Sequence, residues 1–247
     1  MPKRLEIISL KSALQIVDVI PVVTVDGPSG SGKGMVATHL AAHYGFRLLD
    51  SGALYRLVGI AARWADIDLD LTETNQAKLS DLAENLDVEF KPTGDPENPS
   101  IITLSGKDVT RQLRSNEAGV DASVVAAIEG VRDALTMLQH SFRREPGLVA
   151  DGRDMGTVVF PDAIAKIYLT ASSEVRAQRR YKQLKDKDIS VSLPGLFQSI
   201  QSRDERDKSR KVSPLVPAED AYVIDSTSMT IDEVLDVVLS VVTKKLG

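Results

Sequence analysis

The sequence predicts an α/β protein, a five-stranded parallel sheet flanked by helices, from three observations. Short apolar runs at 22–25, 46–49, 148–151, 166–169 and 222–225 have the length of buried strands. Segments with apolar residues at helical spacing lie between most of them, and that alternation favours parallel strands with helices on both faces. The first run also delivers Asp26 and a glycine-rich octet, Gly27-Pro28-Ser29-Gly30-Ser31-Gly32-Lys33-Gly34, to the point where a helix begins.

The 247 residues are enough for one large α/β unit with insertions. Hydrophobic residues make up 43% and charged residues 26%, the balance of a soluble globular protein, and no apolar run nears the roughly twenty residues of a membrane span. The absence of cysteine excludes disulfides, thiolate metal sites and cysteine nucleophiles, and fits a reducing compartment such as the cytoplasm. A net charge of −5 is unfavourable for binding nucleic acid, so any anion site must be local.

Residues 1–20 place Ile7, Leu10, Leu14 and Val17 at heptad-like spacing, compatible with a short appended amphipathic helix. Lysines, Glu6 and Asp18 interrupt it and no small-residue cleavage site follows, so it does not read as a signal peptide. The octet then reads as a phosphate cradle. Its glycines let the backbone curl with N–H groups inward, the new helix adds the positive end of its dipole, and Lys33 supplies a charge for the outer phosphates of a nucleoside triphosphate. One letter departs from the pattern G-x-x-x-x-G-K-[ST]: Gly34 stands where a hydroxyl would reach Mg²⁺, and Met35 follows it. A glycine-rich turn that binds nothing is the alternative reading.

Met35–Tyr44 is expected to be a helix ended by Gly45. The next strand leads to Asp50-Ser51-Gly52-Ala53-Leu54-Tyr55-Arg56, with Leu54, Leu57, Val58, Ala61 and Trp64 on one helical face. Ser51 is expected to cap that helix, with Tyr55 and Arg56 one turn in; a cap and a solvated arginine explain these residues as well as a binding role does. Thr72–Leu86 has helical spacing. Asp87–Phe90 and Ile101–Leu104 bracket Pro92, Gly94, Pro96 and Pro99, which reads as a hairpin with a long turn. Arg111–Phe142 returns to helix, broken near Gly119 and Gly130, with Ser123 on its first part and Arg132 on its second.

The run ending in Asp151 is followed by Gly152-Arg153-Asp154-Met155-Gly156, and an acid at such a strand end commonly reaches Mg²⁺ directly or through water. Ser172–Lys187 is expected to be a helix with Arg176, Arg179 and Arg180 on its exposed face. Pro194–Arg210 is another, ending in a charge run. That run reads either as a solvated face or as a stripe of Arg203, Arg206, Asp207 and Arg210 pointing at a site. Ile231–Leu246 is the closing helix. His39, His43 and His140 show no metal-ligand pattern.

The segments near 65–145 and 176–213 are large insertions that carry arginines, and two flaps over a phosphate site are the simplest reading. Phosphoryl transfer between nucleotides must bring two polyanions together, exclude water and stabilise charge on the moving group. Guanidinium groups suit each task, being always charged and able to bind phosphate bidentately. An acceptor phosphate attacks directly, so positioning and electrostatics carry the chemistry without a protein nucleophile.

Four stretches together resemble the bacterial cytidylate kinase family: Gly-Pro-Ser-Gly-x-Gly-Lys-Gly at 27–34, Asp-Ser-Gly-Ala-Leu-Tyr-Arg at 50–56, Asp-Gly-Arg-Asp-Met-Gly-Thr-Val-Val-Phe-Pro at 151–161, and Arg-Asp-x-Arg-Asp at 203–207 with Arg210. The correspondence runs in order over roughly residues 21–245, and the third stretch separates it from adenylate and thymidylate kinases. The resemblance implies a P-loop kinase fold. Its core would be 21–64, 146–175 and 214–247, with an acceptor-binding insertion at about 65–145, a lid at about 176–213 and an N-terminal extension at 1–20. It also implies ATP with Mg²⁺ as donor and CMP or dCMP as acceptor, in a cytoplasmic monomer with no nucleic-acid or membrane partner.

Carried over, Gly27, Pro28, Ser29, Gly30, Ser31, Gly32, Lys33, Gly34 and Met35 would hold ATP. Arg56, Arg153 and Arg210 would grip the CMP phosphate, in a pocket shaped by Ser51 and Tyr55. Ser123, Arg132 and Asp154 would read cytosine, and Arg203 with Asp207 the sugar hydroxyls. Arg179 and Arg180 would close on the phosphates, joining Lys33, Arg153 and Arg210 in the catalytic set, while Asp151 would orient Mg²⁺ through water. Cytosine offers an amino donor where uracil has a carbonyl, so Asp154 would accept from the first and repel the second. Met35 departs from the threonine usual in the family, and residues 1–20 have no counterpart. Another small-metabolite or nucleotide kinase of the same fold, or a non-catalytic nucleotide-binding protein, is the alternative.

Overall fold

Every residue of the first strand, β1 (Val22–Asp26), is buried, which a strand achieves only inside a sheet covered on both faces. The computed structural model of the chain describes residues 20–70, 72–93, 100–186 and 191–247. After β1 come α1 (Lys33–Tyr44), β2 (Arg47–Asp50), α2 (Ser51–Trp64) and α3 (Glu73–Glu84). A small antiparallel sheet follows, β3 (Val88–Pro92), β4 (Ser100–Leu104) and β5 (Lys107–Asp108). Then come a 3₁₀ turn at Gln112–Arg114, α4 (Asn116–Val125), α5 (Glu129–His140), β6 (Leu148–Gly152), a π-helical turn at Met155–Val159 and β7 (Ala165–Thr170). The chain ends with α6 (Ser173–Lys185), α7 (Leu193–Ser209), β8 (Tyr222–Asp225) and α8 (Ile231–Leu246).

The main sheet is the expected one: five strands, all parallel, in the order β2-β6-β1-β7-β8. Alternate residues of each strand point to opposite faces, and this divides the core in two. Val22, Leu148 and Ala150 pack with Leu54, Leu57 and Val58 of α2 and with apolar residues of α4 and α5. Val23, Val25, Val149 and Ile167 pack on the other face with Val36 and Leu40 of α1 and Val234, Val238 and Val242 of α8. Each such valine, leucine or isoleucine stabilises the fold by about 1.5–3 kcal/mol when fully buried. Parallel pairing also brings the carboxyl ends of the strands to one edge, with Asp50 opposite Asp151 and Asp26 opposite Gly152.

Several local expectations change. Asp50, not Ser51, caps α2: its side chain accepts from the Ala53 N–H at 3.1 Å, while Ser51 is the first helical residue. The helix broken near Gly119 is continuous there; it stops at Val125 and restarts at Glu129. Gly119 lies mid-helix beside Arg203 of α7, where a Cβ would make only an ordinary 3.7 Å contact with Nη1, so this glycine does not end a helix. Arg176 is buried rather than on the exposed face of α6. Arg206 is exposed and bonds within its own helix, so Asp204, not Arg206, turns inward with Asp207. The amphipathic segment before Ile20, the hairpin turn at 94–99 and Lys187 lie outside the described residues. Among the described residues no helix is long and apolar enough to cross a membrane.

Candidate active site

The cradle takes its shape from two glycines. Gly27, at φ 148°, passes so close to β7 that a Cβ would lie 2.0 Å from the Leu169 carbonyl oxygen. Gly32, at φ 95°, is the N-cap from which α1 starts, a left-handed conformation costly for other residues. The first N–H groups of α1 therefore face the carboxyl edge of the sheet with the positive end of the helix dipole. Lys33 folds back over this turn and donates to the Pro28 carbonyl at 3.2 Å, with Asp151 Oδ1 3.9 Å from its Nζ. Burial, helped by Arg153, pushes the Lys33 ammonium below its usual range, and Asp151 opposes the shift. Burial pushes Asp151 up, against the pull of Lys33. A Cβ on Gly34 would sit 3.2 Å from Asp151 Oδ2, and Met35 is 61% exposed at the rim.

A cavity of about 1840 Å³ opens from the cradle and runs between α2, α4, the end of β6, α6 and α7. Its far side is a set of ion pairs. The guanidinium of Arg132 donates to Asp154, with both groups buried, and also to the Ala126 carbonyl at 3.1 Å. Asp207 accepts from Arg153 Nε at 3.1 Å, from Arg210, and from Ser123 Oγ at 3.4 Å. Burial pulls Asp207 upward, but Arg153, Arg210 and Arg203 together hold it below the usual carboxylate range. Burial, with Arg153 nearby, pushes Arg203 down to about 9. Tyr55 is buried with the Arg132 guanidinium 5.6 Å from its ring centroid, and burial pushes its hydroxyl up to about 12.

The Nε atoms of Arg56, Arg203 and Arg210 are buried and lack a protein partner, although all three side chains line the cavity. A buried donor without an acceptor costs about 1–3 kcal/mol, and the three guanidinium groups concentrate positive charge around one cavity, chemistry suited to an anion. Arg179 and Arg180 line the same cavity from α6; Arg179 is held by the Ser226 hydroxyl and carbonyl at 3.1 and 2.7 Å, and Arg180 by Gln183 at 2.9 Å. The elements deliver one cavity with a backbone cradle at one end and guanidinium groups at the other, an arrangement suited to holding two phosphate-bearing molecules.

A model of the cytidylate kinase family matches residues 23–244. The cytidylate kinase of Pseudomonas fluorescens is 58% identical over 221 residues, 89% of this chain and 94% of that protein. Those of Aeromonas salmonicida and Shewanella putrefaciens are 54% and 53% identical over 227 residues, 92% of this chain and 96% of each. The chain belongs to the cytidylate kinase family.

In this cytidylate kinase family member, most of the residues picked from the sequence line the one cavity: Ser29–Met35, Ser51, Tyr55, Arg56, Ser123, Arg132, Asp151, Arg153, Asp154, Arg179, Arg180, Arg203, Asp207 and Arg210. Gly27 and Pro28 do not; they serve the turn, the first by its close passage under β7 and the second as the acceptor for Lys33. Sequence reasoning missed Asp26, which is buried and accepts from the Met155 and Gly156 N–H groups at 2.9 and 2.8 Å. Burial pushes this carboxyl up to about 7, although both bonds favour its charged form. Asp26 thereby ties the cradle strand to the turn that follows Arg153 and Asp154. It also missed Asp50 and Arg111, which line the cavity, and the buried pair Arg176–Asp204. An acid at the end of the strands that lead to 27, 51 and 152 was the available signal for Asp26 and Asp50; nothing local marked the other three.

Proposed function

We propose that the chain transfers the γ-phosphoryl group of ATP to CMP or dCMP, giving CDP or dCDP and ADP. The observation that carries this reading is the continuity of the cradle with the Arg56–Arg153–Arg210 cluster in a single cavity. The cradle backbone from Ser29 to Met35 and Lys33 hold the donor phosphates. Arg56, Arg153 and Arg210 hold the acceptor phosphate, whose oxygen attacks the γ-phosphorus in line as the bond to the ADP oxygen breaks. Arg179 and Arg180 add charge from α6 as the transferred group becomes electron-rich. Arg203 and Asp207 take the sugar, and Ser51 and Tyr55 bound the pocket. The segments at about 65–145 and 176–213 act as acceptor-binding insertion and lid on the core.

Asp151, with Asp50 across the strand register, offers hard carboxylate oxygens beside the cradle. Among the described residues no cluster of three or more His, Cys, Asp or Glu side chains accompanies them. That donor set fits a Mg²⁺ ion brought in with the triphosphate, held by one or two carboxylates and water. When bound, the ion would neutralise charge on the outer phosphates. Asp151 would hold its water, and Lys33 and the arginines supply the remaining positive charge. The protein works as a monomer on these small molecules in the cytoplasm.

Cytosine selectivity is assigned to Asp154, which exchanges Arg132 for the amino group of the base while Arg132 and Ser123 face the ring acceptors. The test is a coupled assay of ADP formation with CMP, dCMP, UMP, AMP and shikimate offered separately. Stimulation is expected with CMP and dCMP, and its absence with both overturns the reading. In Asp154→Ala the preference for CMP over UMP is expected to fall about tenfold or more, with ATP binding little changed; unchanged discrimination would place the base reader elsewhere.

A further inference from the structure

Two charged side chains outside the set given to ATP and CMP are buried together beside it. Arg176 of α6 and Asp204 of α7 form a two-bond ion pair, with Nη1 3.0 Å from Oδ1 and Nη2 against Oδ2. The rest of the guanidinium is also committed: Nε donates to the Ala171 carbonyl at 2.9 Å, Nη2 to Ser173 Oγ at 2.9 Å and Nη1 to the Ser29 carbonyl at 3.0 Å. Beside Asp204, Arg203 donates to Ser29 Oγ at 3.3 Å. One residue of the cradle is thus held at its carbonyl by α6 and at its hydroxyl by α7. One turn further along α7, Asp207 holds Arg153 and Arg210 on the acceptor side.

A buried ion pair is a poor device for stability alone, because desolvation offsets most of its attraction and an apolar pair of the same volume often does as well. This pair is distinguished by what it connects. Any shift of the cradle backbone as it wraps phosphates pulls on the Ser29 carbonyl, and the rigid fork of Arg176 passes that shift to Asp204 and so to the helix bearing Arg203, Asp207 and Arg210. We infer that Arg176 and Asp204 are positioning residues that couple occupation of the donor cradle to the acceptor-facing side of α7. The inference rests on the donor and acceptor assignment above. By linkage, donor and acceptor then strengthen each other's binding by the same factor.

Calorimetric titration of CMP, with and without saturating Mg²⁺ and a non-hydrolysable ATP analogue, tests this. For the unaltered chain the analogue is expected to tighten CMP binding about fivefold or more. In Asp204→Asn and Arg176→Lys the ratio is expected to fall to within about twofold of unity, while the analogue alone binds within about threefold of its original affinity. Should a single variant fail to fold, Arg176→Met/Asp204→Leu keeps the buried volume, removes both charges and gives the same readout. Retention of the original ratio in the folded variants overturns the inference, even if donor affinity drops, as does a ratio of unity in the unaltered chain. CMP-stimulated ADP formation, measured on the same preparation, separates the two readings. Its absence overturns the function, whereas an unchanged ratio in a chain that phosphorylates CMP overturns only the coupling.

Discussion

Along the cradle one unbroken stretch between β1 and α1 offers backbone N–H groups and a single lysine, whereas the far side of the cavity, the acceptor side on the proposed reading, gathers its charges from α2, α5, the end of β6 and α7. The cradle's donors are fixed by the path of the chain, and Lys33 and the Met35 N–H donate to carbonyl oxygens of the same loop. The far side instead pairs most of its charges, Arg132 with Asp154 and both Arg153 and Arg210 with Asp207, and leaves the Nε atoms of Arg56, Arg203 and Arg210 without a partner. A ligand there must exchange partners with these acids, and one that cannot replace their hydrogen bonds is rejected. On the proposed assignment, generic affinity resides in main chain and selectivity in side chains that already have partners.

The sharpest way to break this contrast is Asp207→Ala, which leaves Arg153 and Arg210 without their shared acid. Loss of one partner of a buried pair is expected to lower stability by about 3–5 kcal/mol in denaturant titration; a loss near zero would mean that the pairing with Asp207 is not what holds these charges. Lys33→Ala attacks the other half. Turnover is expected to fall about 10²–10³-fold with CMP and dCMP alike, with the KM for CMP unchanged in steady-state kinetics. A parallel rise in that KM would show the halves are not separable.

Asp26 sits at the seam between them, and its pH dependence has a definite sign. Its folded carboxyl is raised from 3.8 to about 7, so between those values the folded chain holds a proton that the unfolded chain releases. Its contribution to stability is therefore lost as pH rises through that window, by up to about 1.4 kcal/mol per pH unit, and is level on either side. Denaturant titrations at pH 5 and pH 7 are expected to show this slope in the unaltered chain and a flatter one in Asp26→Asn. The smallest effect belongs to Met35→Thr. Met35 is exposed at the rim and its backbone N–H is kept by either residue, so turnover is expected to change less than about fivefold; a gain of several hundredfold would make the missing hydroxyl a central part of the cradle.

The same contrast explains what the sequence made legible. The cradle and the five strands are written in contiguous letters: apolar runs of strand length, glycines at a turn, a lysine at a helix start. Arg153 and Asp154 follow a strand end, Arg210 falls in the helical stripe read as one alternative for the charge run, and Ser123 and Arg132 take roles only through the family resemblance. Arg176 and Asp204 were not legible, because their burial depends on two helices meeting over a loop 147 residues from Arg176 in the chain. Of the two breaks expected, the one near Gly130 falls close to the interruption between Val125 and Glu129, while the one at Gly119 is absent, because glycine also permits close helix packing, as at Gly59, where a Cβ would lie 2.7 Å from that of Asp121. Ser51 lost the cap to Asp50 because either residue suits that role and only the end of β2 decides between them.

Gly34 carries a warning for anyone redesigning this enzyme by consensus. The general cradle pattern prefers serine or threonine there, and a substitution toward it looks conservative on paper. In this chain the added Cβ would come within 3.2 Å of Asp151 Oδ2, so the carboxylate must shift by a few tenths of an ångström to admit it. The other oxygen of that carboxylate lies 3.9 Å from Lys33 Nζ, so the outcome at position 34 is decided at position 151.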